Sequence, residues 1–287
     1  HGDVGEVLVY SRALSTAERK IAEAYLNGKW LDAAAARPNL LPAASPLEIA
    51  AGARLDLGGA RQTVGSLADV AGAGGLVLNQ SAAAATLSVG QDGTDAAFSG
   101  SIQDGTGTVA LVKTGAGTQS LHAANPFGGG TTVSNGTLLV HGTIGTGAVA
   151  VAGGTLGGTG VVLGAVSSAG TVAPGPGVGR LVISNDYQQT GSLAVELAGT
   201  SPGTGHDVLA VAGTATLGGT LAVTTNGGFA PAAGQSFTVL TAGAVSGTFA
   251  STTLPGLASG LGWDVTYASS EVVLSVTGTV LNTPYGL

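Results

Sequence analysis

The chain has 287 residues, 44% apolar and only 9% charged, with 51 glycines and a net charge of −7. Enough Val, Leu and Ala are present to build a core, and so few charges exclude the polar, self-repelling kind of disorder. Scattered acids without a basic patch exclude nucleic acid as a partner and disfavour an anionic lipid surface, and no run reaches the ~18 uninterrupted apolar residues of a transmembrane helix.

Cys and Met are both absent. The first absence removes thiol catalysis, disulfides and thiolate metal sites together. The second, in a chain that opens at His1, reads as a fragment whose signal peptide lies upstream.

At the start, Gly5-Glu-Val-Leu-Val-Tyr10 reads as a strand. Ser15-Thr-Ala-Glu18 is a capping box opening a helix that ends near Gly28. Ala17, Ile21, Ala24 and Tyr25 share one face of that helix, which therefore needs a partner. The stretch from Gly2 through Arg19, continuing to Tyr25-Leu-Asn-Gly-Lys-Trp30, resembles the last strand and closing helix of laminin-G-like, concanavalin-type jellyroll domains. The resemblance implies that residues 1–32 are the tail of such a domain, whose glycan or calcium residues would sit upstream. An ordinary strand and helix capping a downstream solenoid is the alternative.

Residues 33–46 are rich in Ala and punctuated by Pro38, Pro42 and Pro46, so neither a helix nor a central strand can run through them. They read as a linker. From 47 to 278 come short apolar pairs bounded by turn residues: Leu55 and Leu57, Leu76 and Leu78, Leu87 and Val89, then Leu111 onward. A strand-and-glycine phrase recurs in Asn135-Gly-Thr-Leu-Leu-Val140, Gly153-Gly-Thr-Leu-Gly-Gly-Thr-Gly160 and Gly213-Thr-Ala-Thr-Leu-Gly-Gly-Thr-Leu-Ala-Val223. Alternation puts Leu193, Val195 and Leu197 on one face, as it does Val272, Leu274 and Val276, and Trp263, Val265 and Tyr267. Between Lys113 and Arg180 no charged side chain occurs. Strands that bury one face and turn sharply at glycines predict an all-β fold, a right-handed parallel β-helix. Residues 279–287 read as a C-terminal tail.

Leu111-Val-Lys-Thr-Gly-Ala-Gly-Thr-Gln-Ser-Leu121, joined through His122 and Ala123 to Ala124-Asn-Pro-Phe-Gly-Gly-Gly-Thr-Thr-Val-Ser-Asn-Gly-Thr-Leu-Leu-Val140, resembles the autotransporter-associated β-strand repeat of bacterial passenger domains, with Phe127 supplying the aromatic residue before the glycines. Ala51–Gly58 and Ala97–Ile102 resemble the coils that precede it, and Gly170–Gly179 and Asp207–Phe249 those on its C-terminal side. The resemblance implies a β-helical passenger displayed outside a Gram-negative cell, with the export machinery as a partner and surface glycans or host and matrix components as candidate ligands. The sequence stops at Leu287 without an outer-membrane barrel, so the expectation is either that this domain is truncated away or that another anchor takes its place.

Chemical motifs are weak. Gly199-Thr-Ser-Pro-Gly203 satisfies G-x-S-x-G with His206 and Asp207 nearby, but no strand-to-helix elbow surrounds it, and a surface turn accounts for it. Asp92, Asp95 and Asp104 offer hard oxygen ligands at a spacing that fits no calcium loop, so they read as turn aspartates. Gly105-Thr-Gly-Thr-Val-Ala110 lacks the helix a dinucleotide fingerprint requires. His122 and His141 lie apart with no carboxylate beside either, and Asp56, Asp69 and Arg61 are too sparse to form a polysaccharide-cleaving site. The expectation is therefore a non-enzymatic stalk or adhesive passenger with no cofactor, metal or catalytic residue. A carrier of a glycan-binding jellyroll and a polysaccharide-degrading β-helix enzyme stand as alternatives.

Overall fold

The computed structural model describes residues 15–26, 39, 41–70, 72 and 74–278. The predicted strand at Gly5–Tyr10 and the predicted helix end at Gly28 lie outside them. The helix runs Thr16–Leu26 and opens with the expected reciprocal cap: Ser15 N donates to Glu18 Oε2 at 2.9 Å, and Glu18 N donates to Ser15 Oγ at 3.3 Å. Ile21, on its apolar face, is 54% exposed.

From Leu47 the chain winds into a solenoid. Along most of the tube each strand pairs in parallel with the strand three places later, so the ladders run along its three sides. Among the described residues there are nine complete coils, running from 47–63 in the first to 220–247 in the ninth. This is a parallel β-helix. It forms because strands of two to six residues alternate buried and exposed positions, then reach a corner before the alternation can continue.

Coil size changes along the axis. On one side the ladder steps from Thr118 to Thr137 to Thr155 to Thr171, intervals of 19, 18 and 16 residues. It then widens through Ser192, Thr220 and Ser251, at 21, 28 and 31. These seven hydroxyl residues are in register and line one outer corner, and Thr220 Oγ1 and Ser251 Oγ lie 2.8 Å apart. Behind them runs an apolar row, Leu138, Leu156, Val172, Leu193 and Leu221, with no solvent exposure. The tube's interior is thus filled by stacked like residues, and the bulky ones, Phe98, Phe127, Tyr187 and Phe237, are spread over different coils.

Both ends are closed. At the first coil, the backbone N–H of Leu41 donates to Gln62 Oε1 at 3.2 Å, and that of Thr63 to Asn39 Oδ1 at 3.0 Å. At the other end the parallel ladder stops. Leu261–Tyr267 and Glu271–Gly278 fold into an antiparallel hairpin, whose second strand lies antiparallel on Ser236–Thr241. Trp263, Phe229 and His206 gather around Phe237 at 6.0, 5.9 and 5.4 Å, and Trp263 Nε1 donates to Pro255 O at 2.8 Å. The alternation predicted for Val272, Leu274 and Val276 holds, with all three buried.

Candidate functional site

The third and fourth coils carry the most unusual interior. In Val109-Ala-Leu-Val-Lys113, Val109, Leu111 and Lys113 share the buried phase of the strand, so the lysine points inward and is fully enclosed. Its ammonium sits at a corner, donating to the carbonyls of Thr114 and Gly115 (3.0 Å to the latter) and, at 3.4 Å, of Asn135 in the next coil. A Cβ on Gly90 or Gly136 would stand 2.9 or 2.7 Å from that nitrogen, so the glycines of the neighbouring coils make the room for it. Burial lowers the Lys113 pKa, while the negative charges of Asp92 and Asp95 act in the opposite sense. A buried ammonium held by main-chain carbonyls ties two coils at one point.

The acids do not converge. Asp56 Oδ1 takes the N–H groups of Gly58 (2.9 Å) and Gln80 (3.0 Å), and Asp69 takes that of Ser99 at 2.5 Å. Asp95 takes Thr118 N at 2.7 Å, and Asp104 takes Val109 N at 2.7 Å and Gly128 N at 2.9 Å. Asp186 takes Thr214 N at 2.8 Å. All five reach from one coil to the next, clipping corners where the ladder hydrogen bonds lapse. Asp92 bonds Thr94 at N and Oγ1 within its own turn and also engages Ser66 of the preceding coil. Its burial works upward on the carboxyl, but hydrogen bonds from Thr94 and Ser66 outweigh it and hold the carboxyl below its usual range. Gly105–Ala110 is a coil corner leading into the strand Val109–Lys113.

The surface turn expected at Gly199–Gly203 is present, and His206 and Asp207 lie beyond it. Ser201 lies in an exposed turn, its carbonyl accepting the N–H groups of Thr204, Gly205 and His206. The other two residues do not share that surface turn: both are buried. The excursion after Leu197 folds back onto the tube, so His206 packs edge-on against Phe237 of the next coil and burial lowers its imidazole pKa. Asp207 Oδ1 accepts Gly179 N at 2.7 Å in the preceding coil, and Oδ2 accepts Glu196 N at 2.8 Å.

Burial pushes the Asp207 carboxyl up to about 7, with Glu196 adding to the rise and the two N–H groups opposing it. The folded value lies above the unfolded one. This group therefore contributes stability that is complete below about pH 4 and is lost as the pH climbs through about 7. His206 has the opposite sign, its contribution fading as the pH falls below about 6.5. Asp207→Asn resembles the protonated acid. Urea midpoints of the two proteins should therefore converge toward pH 4, with the parent's carboxylate costing it stability relative to the variant as the pH rises to 8; a difference independent of pH would refute the shift.

His122 and His141 are brought together. Leu121 pairs with Val140, so the two histidines hold equivalent places on consecutive coils. Their rings stack 4.8 Å apart at 17°. His141 Nδ1 lies 3.3 Å from Thr159 Oγ1, one coil further. Burial, and then the neighbouring His122, lower the His141 pKa. The signal in the sequence was their separation, 19 residues, which equals the local coil interval from Thr118 to Thr137.

On the outside, Ala150, Ser167, Gln188 and Thr216 stand in register along a shallow groove that Asp186 and Thr214 complete. Among the described residues no three His, Asp or Glu side chains are grouped to hold a metal ion, and no helix is long and apolar enough to cross a membrane. Residues 111–140 match the model of the passenger-associated transport repeat. The match spans the Lys113 corner, Phe127, Gly136 and the whole of the fourth coil. A search of the curated proteins finds no match to the chain.

Proposed function

We propose that this β-helix is a non-enzymatic passenger stalk of a Gram-negative surface or secreted protein, exported by an autotransporter-type route and displaying adhesive surface outside the cell. One observation carries the proposal: the transport-repeat match falls on coils whose inward lysine and glycine corners join one coil to the next and whose phenylalanine is buried in the core. Stability in such a stack is a sum over nearest neighbours, so each coil can fold on the last as it emerges and bias transport outward. The carboxylates that a polysaccharide-cleaving site would need are spread over different corners and engaged with main-chain amides, which favours a scaffold over a catalyst. The groove of Ala150, Ser167, Gln188 and Thr216 offers an adhesive face to glycans or matrix proteins.

Export coupled to folding can be tested in a Gram-negative host, with the chain placed between a signal peptide and an outer-membrane barrel. Surface protease protection and release should fall together in corner variants that weaken coil stacking. Folding-defective variants that reach the surface at the parent's rate would overturn the proposal.

A further inference from the structure

His122 and His141 occupy equivalent positions on neighbouring coils, so their side chains leave the corner in parallel, and the rings stack 4.8 Å apart at 17°. The corner is accessible, with His122 exposed and His141 half-buried. No charged side chain occurs between Lys113 and Arg180, so the segment supplies no carboxylate to engage either ring. The two imidazoles face each other and a hydroxyl, that of Thr159 at 3.3 Å. We propose that this pair is a bidentate site for a divalent late transition-metal cation, Cu²⁺ in preference to Ni²⁺ or Zn²⁺.

The two rings must leave the stack to chelate. An imidazole binds a metal through the nitrogen lone pair in its own ring plane, so the near-parallel rings have to turn until both lone pairs aim at one point, with metal–nitrogen bonds of about 2.1 Å and the donor nitrogens within roughly 4.2 Å of each other. Rotation of both side chains at this accessible corner supplies that without moving the ladder. Imidazole donors with water completing the shell suit Cu²⁺, Ni²⁺ and Zn²⁺, and Cu²⁺ stands highest in the affinity order for such ligands. Ca²⁺ and Mg²⁺ demand oxygen ligands, which this corner lacks apart from a hydroxyl. Because the coils hold the second imidazole in place, its binding is intramolecular once the first is engaged.

Titration of Cu²⁺ into the chain by calorimetry tests the proposal, in a His1→Ala background, since His1 offers a further imidazole outside the described residues. One equivalent should bind with two equatorial imidazole nitrogens in the electron paramagnetic resonance spectrum. His122→Thr or His141→Thr should each weaken that binding about a hundredfold, the gain a preorganised second ligand confers. Thr already fills the equivalent place one coil on, at Thr159, so both variants should keep the parent's cooperative urea transition. Absence of binding, a single-nitrogen spectrum, or affinity unchanged in either folded variant would overturn the site.

Discussion

Gly115→Ala is expected to destabilise the solenoid by more than about 4 kcal/mol, beyond what most single substitutions do. Gly115 has φ +62, where an ordinary residue costs roughly 1–2 kcal/mol. That is the smaller part. A Cβ at this position would stand 1.7 Å from the carbonyl oxygen of Gly90 in the preceding coil, and backbone cannot yield as a side chain does. The corner must open, which strains the hydrogen bonds that Lys113 makes to the same turn. Gly93 supplies the control, because its φ of +73 is equally left-handed but a Cβ there meets nothing within 4 Å. Gly93→Ala should cost only about 1 kcal/mol. Equal shifts in the urea midpoints of the two variants would show that coil-to-coil closeness at Gly115 has no energetic weight.

Lys113→Ala should cost about 3–5 kcal/mol, because it empties a buried volume and strands carbonyl groups that the ammonium now serves. Lys113→Met is expected to lose less than that. It keeps most of the volume and removes the desolvated charge, leaving only unpaired carbonyls at the corner, about 1–3 kcal/mol. Lys113→Arg should do no better than alanine despite keeping the charge, since even one added Cβ on Gly90 or Gly136 would stand 2.9 or 2.7 Å from the nitrogen, which leaves little room for a bulkier head group. Equilibrium unfolding of the three variants gives the order directly. An arginine variant as stable as the parent would mean the lysine is held for its charge alone, and that the glycine cage sets no limit on size.

Much of the architecture was legible because its physics is local. Alternation at Leu193, Val195 and Leu197 and the capping box at Ser15 need only neighbouring residues to be decided, and the structure shows both. Lys113 was legible too, in principle. It stands in phase with Val109 and Leu111, and only the expectation that lysines face water hid its enclosure. His122 with His141, and His206 with Phe237, depend on which coil lies above which. Coil intervals vary from 16 to 31 residues, so no fixed period in the sequence reports those meetings. The aspartates are hidden for a related reason: Asp95 and Asp104 read only as turn residues, and that each turns to an amide in the following coil depends on the stacking.

The direction of the ladders has a mechanical consequence. Hydrogen bonds between coils run along the tube axis, so tension applied to its two ends opens junctions one at a time instead of shearing whole sheets. Junctions under such a load act as links in series, and the weakest sets the breaking force. One side of the tube joins six residue pairs between Ser192–Leu197 and Thr220–Thr225, but two between Thr171–Val172 and the coil after it. Yielding should start at such short ladders, before the long-laddered coils toward the C-terminal end. Additional coils would lengthen the reach of the tether without raising the force it withstands.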